Sequence, residues 1–205
     1  MPVLLDDQTV DFGVQQLGEV LGKANEQATA QGRLVVEVSI DGRVLNHNEL
    51  QEMAQVPTVA VTVGLKTANM KDLALETLDQ AQDQLDSVRD LQEDAADLLQ
   101  EDKAIEGFEK IGKLIEMWIQ TQQAVGGVAQ LMKLDLSKVQ VDDQPLSTVS
   151  ESMVQQLMQL KEAIEAGDTV TLSDALAYEW PEQVDRWERL IVSVSEAVDP
   201  TRRGG

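Results

Sequence analysis

The chain has 205 residues, a formal net charge of −21 and no cysteine. A polyanion of this density is repelled by nucleic acid and by anionic lipid, so we expect neither as a partner. The absence of cysteine excludes disulfides, thiolate catalysis, iron–sulfur clusters and zinc sites with cysteine ligands.

The composition predicts a folded protein with an aliphatic core. Hydrophobic residues make up 42% of the chain and aromatic residues only 3%, a balance that suits packed helices. The most apolar run, residues 56–65, is far shorter than the ~20 residues that a membrane helix needs. We therefore expect a cytoplasmic protein. Two interpretations of its acidity stay open, namely a solvated helical surface, as in a saline cytoplasm, and a binding surface for a basic partner protein.

Residues 1–66 predict a small mixed β/α unit, so the fold class of the whole chain is α+β. The predicted elements are a hairpin near 3–10, a helix over 12–31, a strand over 33–40, a short arm over 43–46, a helical turn over 47–55 and a strand over 57–63. This order resembles the β-grasp arrangement of ubiquitin-like domains. The resemblance is topological and rests on no shared motif.

A nine-residue pattern recurs at three places along the chain. The copies are VLLDDQTVD at 3–11, VSIDGRVLN at 38–46 and VQVDDQPLS at 139–147. Apolar arms flank a turn that begins with aspartate, which predicts a strand–turn–strand device, unless the likeness arises by chance. Each copy ends in a residue type that caps helices, and these residues are Asp11, Asn46 and Ser147.

Residues 67–199 change to helical periodicity and predict an antiparallel bundle of about four long amphipathic helices. The first two apolar seams are Leu78, Ala81, Leu85, Val88, Gln92, Ala95 and Leu99, then Phe108, Ile111, Ile115, Trp118, Gln122, Val125, Ala129 and Met132. The other two are Met153, Leu157, Leu160 and Ile164, then Trp180, Val184, Trp187, Ile191, Val194 and Val198. We expect a turn near Asp102 and Pro181 in the first turn of the last helix.

The order of segments from about residue 70 to 195 is similar to that of an uncharacterised group of bacterial acidic helix-bundle proteins. Paired acidic amphipathic helices precede LDLSKVQVDDQPLS, and a further helix leads to GDTVTLSDALAYEW and the last helix. The group has no known activity. The resemblance therefore implies an inherited architecture and assigns no site.

Catalytic, cofactor and metal sites are not predicted. The single histidine, His47, is a candidate general base or metal ligand, but its place after Asn46 favours an exposed residue at a helix start. The many carboxylates match no calcium-loop or di-iron pattern and favour solvated helix faces. Gly126 and Gly127 lack the lysine and the preceding strand of a phosphate-binding loop.

The segment YEWPEQVDRWERL, residues 178–190, is the best candidate for an interaction surface. Arginine and tryptophan dominate many protein–protein contacts, and this segment holds two arginines beside aromatic residues. The candidate residues are Tyr178, Glu179, Arg186 and Arg189. We expect the two arginines to pair with acidic neighbours. The three tryptophans fall on the predicted seams, so we expect them in the core.

The sequence favours a non-enzymatic interaction or scaffold protein that acts through long amphipathic helices, and such helices favour self-association as a homodimer. An acidic adaptor or chaperone for an exported or basic client is the alternative, and an enzyme of unknown type comes third. Residues 200–205 are expected to form a flexible tail. The tail ends in Arg-Arg-Gly-Gly, as ubiquitin-like modifiers end in diglycine, but a mostly helical segment separates it from the β-grasp-like unit.

Overall fold

The computed structural model describes residues 2–54, 61–142 and 144–202, without the side chains of Ser147 and Ser150. The chain divides into two compact units, Met1–Leu73 and Ala74–Gly205. The first unit contains the elements β1 (Val3–Leu5), β2 (Gln8–Val10), α1 (Leu17–Ala30), β3 (Arg33–Ile40), β4 (Arg43–Val44), α2 (His47–Met53) and β5 (Val63–Asn69). Because β5 continues to Asn69, this unit extends past the boundary expected after residue 66.

The described strands of the first unit form one five-stranded sheet in the order β2-β1-β5-β3-β4. The central strands β1 and β5 are parallel, and the remaining pairs are antiparallel. This is the strand order of a β-grasp sheet. Helix α1 buries Leu17, Val20 and Ala24 against apolar residues of the sheet, including Val38 and Leu65.

Two predicted elements of the first unit differ from the structure. The strand expected over 57–63 is shifted, because residues 61 and 62 lie outside the strand, which pairs with Val3 and Ile40 at Val63 and continues to Asn69. Residues 57–60 of the expected strand lie outside the described residues. Helix α1 begins at Leu17, not at 12, because the Asp11 carboxylate accepts a hydrogen bond from the Gly13 amide instead of capping a helix.

The three predicted hairpins all form. The pairs that close them are Leu5 with Gln8, Ile40 with Arg43 and Val141 with Gln144. In each turn the first aspartate has a left-handed backbone, with φ values of 49° at Asp6, 49° at Asp41 and 52° at Asp142. Positive φ values at the start of a two-residue loop match the twist of paired strands. The aspartate-led pattern is therefore a hairpin signal at every copy.

The predicted caps of these copies have different outcomes. Asn46 forms a full capping box at the start of α2, since its side chain accepts from the Glu49 amide and Glu49 accepts from the Asn46 amide. Asp11 caps no helix. Ser147 lies inside the helix that begins at Leu146, whose cap position is occupied by Pro145.

The second unit contains the four long helices that the seams predict. Its elements are α3 (Met70–Gln100, which starts in the first unit), α4 (Ala104–Met132), a 3₁₀ turn (Leu136–Lys138), β6 (Gln140–Val141), β7 (Gln144–Pro145), α5 (Leu146–Ala166), α6 (Thr169–Asp174), a π-helical turn (Ala175–Glu179), α7 (Trp180–Val198) and a 3₁₀ turn (Pro200–Arg202). The expected turn near Asp102 is confirmed by a φ of 60° between α3 and α4.

Helices α3 and α4 are antiparallel. Gln84 donates to Gln120 across the pair at 3.0 Å, and nearer the connecting turn Asp94 binds Lys110. The sum of the residue numbers is constant between these contacts, as an antiparallel pair requires. Farther along the chain, Gln183 of α7 donates to Ser152 of α5 at 2.7 Å.

The core of the second unit confirms the expected seams of α3 and α7, whose positions are all buried. The three tryptophans form one cluster, because the Trp118 ring meets Trp180 and Trp187 edge to face at centroid distances of 6.1 and 5.6 Å. The seam of α4 is partly wrong. Phe108, Ile115 and Gln122 are half-buried, while the adjacent face buries Gly107, Leu114, Thr121 and Val128.

The start of the expected flexible tail is ordered by an ion pair. Residues Pro200–Arg202 form a 3₁₀ turn, and the Arg202 guanidinium binds the Asp79 carboxylate of α3 through two contacts of 3.0 and 3.2 Å. A two-pronged arginine–carboxylate contact fixes both groups. Residues 203–205 lie outside the described residues.

Candidate functional site

A π-helical turn interrupts the helical run from Thr169 to Val198, and Pro181 explains its position. The Trp180 amide donates to the carbonyl of Ala175, five residues earlier. The next carbonyl, that of Leu176, would be reached by residue 181 in the same pattern, but proline has no N–H. The Leu176 carbonyl is therefore left for another donor. Turns of this type occur frequently at functional sites.

The donor comes from helix α3. The Nε2 atom of Gln92 lies 3.4 Å from the Leu176 carbonyl oxygen, and the Gln92 side chain is only 2% exposed. Because that carbonyl is an acceptor, it fixes which end of the amide faces it. The other end, Oε1, is buried and has no hydrogen-bond partner among the described residues. An unpaired buried acceptor costs free energy, so a donor that reached this atom would be stabilising.

A cavity of about 470 Å³ lies between α3 and the π-helical turn, and we call it the α3-side cavity. Its lining includes Gln92, Glu93, Asp97, Leu176, Tyr178 and Pro181. Tyr178 is 77% exposed, which is unusual for a large aromatic side chain. The cavity thus combines a buried acceptor, two exposed carboxylates and an accessible aromatic ring.

The cation beside this cavity is already neutralised. Arg89 of α3 binds Asp185 at 2.9 Å and Glu188 at 2.7 Å, both on α7. The carboxylates of Glu188 and Asp185 raise the pKa of Arg89, so its charge is retained. Glu93 and Asp97 make no ion pair with any residue in the described part of the chain. The electrostatic potential of the cavity is therefore negative.

A second cavity, of about 440 Å³, lies on the opposite side of the π-helical turn, against α5. Its apolar lining includes Leu160, Leu172 and Trp180, and its carboxylates are Glu162, Asp168 and Glu179. Hydrogen bonds from the Thr171 amide and hydroxyl keep the pKa of Asp168 below its usual value. Asp168 serves as the cap of α6, so its carboxylate has a structural role.

The four predicted interaction residues do not form one site. Tyr178 lines the α3-side cavity, and Glu179 lines the cavity against α5. Arg186 binds Glu182 at 2.6 Å, and Arg189 binds Asp142 of the third hairpin at 2.8 Å. The expectation that both arginines pair with acidic neighbours is confirmed. Tyr178 and Glu179 remain as candidate contacts.

Sequence reasoning missed the residues that surround Tyr178. Gln92 belongs to the predicted seam of α3 as a core position, and Glu93 and Asp97 are among the many carboxylates that the sequence places on solvated helix faces. Two signals were available in the sequence. A buried polar residue in an apolar seam needs a partner, and a proline shortly after Leu176 leaves a helix carbonyl without its donor.

Other candidate chemistry finds no support in the described residues. His47 is exposed at the first position of α2, and its Nε2 lies 3.0 Å from the Gln51 amide nitrogen. Within residues 2–54, 61–142 and 144–202, acidic and histidine side chains form no group of three or more that could hold a metal ion. In the same ranges, every helix is too short or too polar to cross a bilayer.

Comparison with known protein families gives a match within the helical unit. The model of a domain of unknown function, DUF8042, matches residues 76–190, over half of the chain. The match covers the α3-side cavity and leaves the β-grasp unit outside. The chain matches no curated protein and no solved structure. From the extent of the family match, the chain belongs to the DUF8042 family, whose function is unknown.

Proposed function

We propose that this chain is a non-enzymatic interaction protein of the bacterial cytoplasm, and that its helical unit binds a basic segment of a partner protein. One observation carries the proposal. Exposed carboxylates on α3 repeat every four and three residues and lead to the α3-side cavity. These residues are Glu76, Asp79, Asp83, Asp86, Asp90, Glu93 and Asp97, which we call the acidic row.

The acidic row is costly for an isolated helix, because like charges three and four residues apart repel each other. Asp79 is neutralised by Arg202, but the other six carboxylates make no ion pair with a described residue. The row follows one side of α3 for roughly 30 Å at 1.5 Å per residue. A basic segment laid along this side would relieve the repulsion, and the electrostatic attraction would speed its association.

The proposal is tested by charge reversal in the native host. The variant Asp83→Lys, Asp86→Lys, Asp90→Lys changes the acidic row, and the matched variant Glu151→Lys, Glu162→Lys, Glu165→Lys changes exposed carboxylates of α5, away from the acidic row. We expect cross-linking and mass spectrometry to identify a defined partner with a basic segment, lost only with the first variant. Equal retention or equal loss with both variants would contradict the proposal and favour a solvated surface.

A second proposal concerns self-association through helix α4. Ile105, Gly112, Ile119 and Gly126 recur every seven residues on its exposed side. Ile105 is 76% and Ile119 is 47% exposed, and a Cβ atom added at either glycine would meet no atom within 4 Å. Glycine weakens an exposed helix by about 1 kcal/mol relative to alanine, so these glycines need another explanation.

An antiparallel pair of α4 helices explains the spacing. If a twofold axis passes between residues 115 and 116, Ile105 faces Gly126 of the second copy and Ile119 faces Gly112. The exposed Lys113, which makes no ion pair within the described residues, then lies close to Glu116 of the second copy. One helix face buries less area than the ~800 Å² per partner of a standard interface, so we expect a weak dimer.

Sedimentation over a range of concentrations tests the dimer. The double variant Gly112→Gln, Gly126→Gln should be monomeric, because its side chains prevent the close approach of two helices. The matched variant Gly127→Gln changes an equally open glycine of α4 that lies next to Gly126 but outside the seven-residue repeat. It should still dimerise. Glutamine favours helix more than glycine does, so the variants should stay folded. A monomeric wild type, or equal behaviour of the variants, would reject the dimer.

A further inference from the structure

We propose that the α3-side cavity receives one basic side chain, a lysine or an arginine, from the segment that binds the acidic row. The inference rests on the proposed function and adds to it a defined pocket and the chemistry of the group that enters it. Three features of the cavity match a cation with several N–H donors. They are the buried Oε1 atom of Gln92, the carboxylates of Glu93 and Asp97, and the ring of Tyr178.

The Gln92 amide is oriented for a donor. Its Nε2 is held by the Leu176 carbonyl, and this carbonyl is free because Pro181 cannot donate to it. Turning the amide over would place two oxygen acceptors against each other. The Oε1 atom therefore remains an acceptor without a partner among the described residues. Because Oε1 is enclosed, a donor in the cavity reaches it only when the Gln92 side chain shifts toward the cavity, and the hydrogen bond then formed would favour binding. Lysine and arginine side chains donate and do not accept.

The carboxylates of the α3-side cavity favour a positively charged ligand group. Glu93 and Asp97 are four residues apart on α3, about one helical turn, and both are exposed. Arg89, the cation that lines the same cavity, is bound to Asp185 and Glu188 and does not neutralise them. An ammonium or guanidinium group is attracted to this end of the acidic row, and an anionic group is repelled.

Tyr178 supplies the opposite wall of the cavity. Its ring is 77% exposed and lies on the π-helical turn, across from the carboxylates of α3. A cation over the face of an aromatic ring is stabilised by the ring's electrostatics, and arginine also stacks on it. The cavity volume of about 470 Å³ is within the range of ordinary ligand pockets and holds a long side chain.

The test uses the full chain, labelled with ¹⁵N, and three blocked tripeptides: Ala-Lys-Ala, Ala-Arg-Ala and Ala-norleucine-Ala. We expect saturable shifts of the Gln92 side-chain amide and of the backbone amides of residues 176–178 with the two basic peptides only. Gln92→Met keeps the side-chain volume and removes the acceptor. Tyr178→Ala changes an exposed residue and leaves the core intact. Each should weaken binding about fivefold, as expected for the loss of one interaction.

Matched charge variants separate a defined pocket from general attraction to an acidic protein. Asp97→Asn and Asp86→Asn remove the same charge from the same helix, but only Asp97 lines the cavity. We expect weaker binding with Asp97→Asn and unchanged binding with Asp86→Asn. Equal weakening by both, equal binding of the norleucine peptide, or no saturable binding would overturn the inference.

The two proposals fail in different ways. If the partner in the native host still depends on Asp83, Asp86 and Asp90 while Gln92→Met and Tyr178→Ala leave its affinity unchanged, the pocket is wrong and the proposed function stands. If reversal of those three charges leaves partner binding unchanged, the proposed function itself is wrong.

Discussion

The two units of the chain are specified by different kinds of sequence information. In the first unit, turns that begin with aspartate close the hairpins, and a small apolar core lies between α1 and the sheet. In the helical unit, apolar residues repeated every three and four positions determine the packing, and the buried core is much larger. Local turn chemistry therefore identifies the short strands, which still need a small buried core, whereas the long helices are identified by periodic burial.

The hairpin aspartates show how one motif serves both units. In the first unit the Asp6 carboxylate accepts from the Thr67 amide and the Asp41 carboxylate accepts from the Thr62 amide, each at 2.8 Å. These contacts hold the two ends of β5. In the helical unit the equivalent residue, Asp142, binds Arg189 instead. The turn aspartates of the first unit thus bind backbone amides of the neighbouring strand segment, whereas Asp142 of the second unit binds an arginine side chain.

The largest expected effect concerns the core of the helical unit. Trp187 is 4% exposed and packs on Trp118, so Trp187→Ala should destabilise this unit by about 3–5 kcal/mol. Urea unfolding followed by circular dichroism measures the loss. Tyr178→Ala, at an exposed position, should change stability by less than about 0.5 kcal/mol. Similar losses of stability from the two substitutions would contradict the difference between a buried position in the α7 seam and an exposed position on the π-helical turn.

A smaller effect is expected at the capping box of the first unit. Asn46→Ala removes the acceptor for the Glu49 amide and should cost about 1 kcal/mol in urea unfolding. The control is Gln16→Ala, because Gln16 occupies the same position before α1 and its side chain makes no cap hydrogen bond. Equal losses from the two substitutions would show that cap chemistry does not stabilise this unit.

The pH dependence of the first unit tests the hairpin contacts. Hydrogen bonds from the Thr67 hydroxyl and amide, with a smaller effect of Arg33, keep the pKa of Asp6 below its usual value. Because the folded pKa is lowered, the stabilisation is present above about pH 4 and is lost as the pH falls through the folded value.

Asp6→Asn keeps a residue that tolerates positive φ and removes the charge. It should cost about 1 kcal/mol at pH 7, since the carboxylate is partly exposed, and much less at pH 2.5. Urea unfolding at the two pH values measures the difference. Asp7→Asn, in the same turn, is the control. A cost for Asp6→Asn that does not shrink in acid would exclude the charged hydrogen bonds as its source.

The smallest expected effect concerns metals. With one histidine and no cysteine, the chain lacks the usual ligands of zinc and iron, so chelators should leave the stability of both units unchanged. Elemental analysis of the purified protein should find less than one transition-metal ion per chain. One bound zinc or iron ion per chain would contradict this prediction.

Sequence periodicity and turn chemistry predicted most of the fold. The aspartate-led turns, the Asn46 cap and the seams of α3 and α7 follow from local rules, and the structure confirms them. The seam of α4 was partly wrong, because Ile111, Trp118 and Val125 belong equally to two neighbouring faces of the helix. Only its contacts with other helices decide which face is buried, and these are not visible in one sequence.

The candidate site was predicted only through Tyr178. Its other parts depend on contacts between residues far apart in the chain, such as Gln92 with Leu176. The role of Arg89 was missed for the same reason, since Asp185 and Glu188 lie almost a hundred residues later. Local patterns carry no information about such pairs, although the polar residue in the seam and the proline each signal an unusual position.

The position of β5 determines when the first unit can fold during synthesis. This strand is the last of the five-stranded sheet in sequence and lies between β1 and β3, so the earlier strands cannot assemble into one sheet without it. Ribosomes add roughly 5–20 residues per second. Helix α1 and the two hairpins are therefore synthesised up to seconds before β5, the strand that pairs with both hairpins. Chains arrested before Asn69 leaves the ribosome should be cleaved readily by protease, and chains arrested well beyond it should resist.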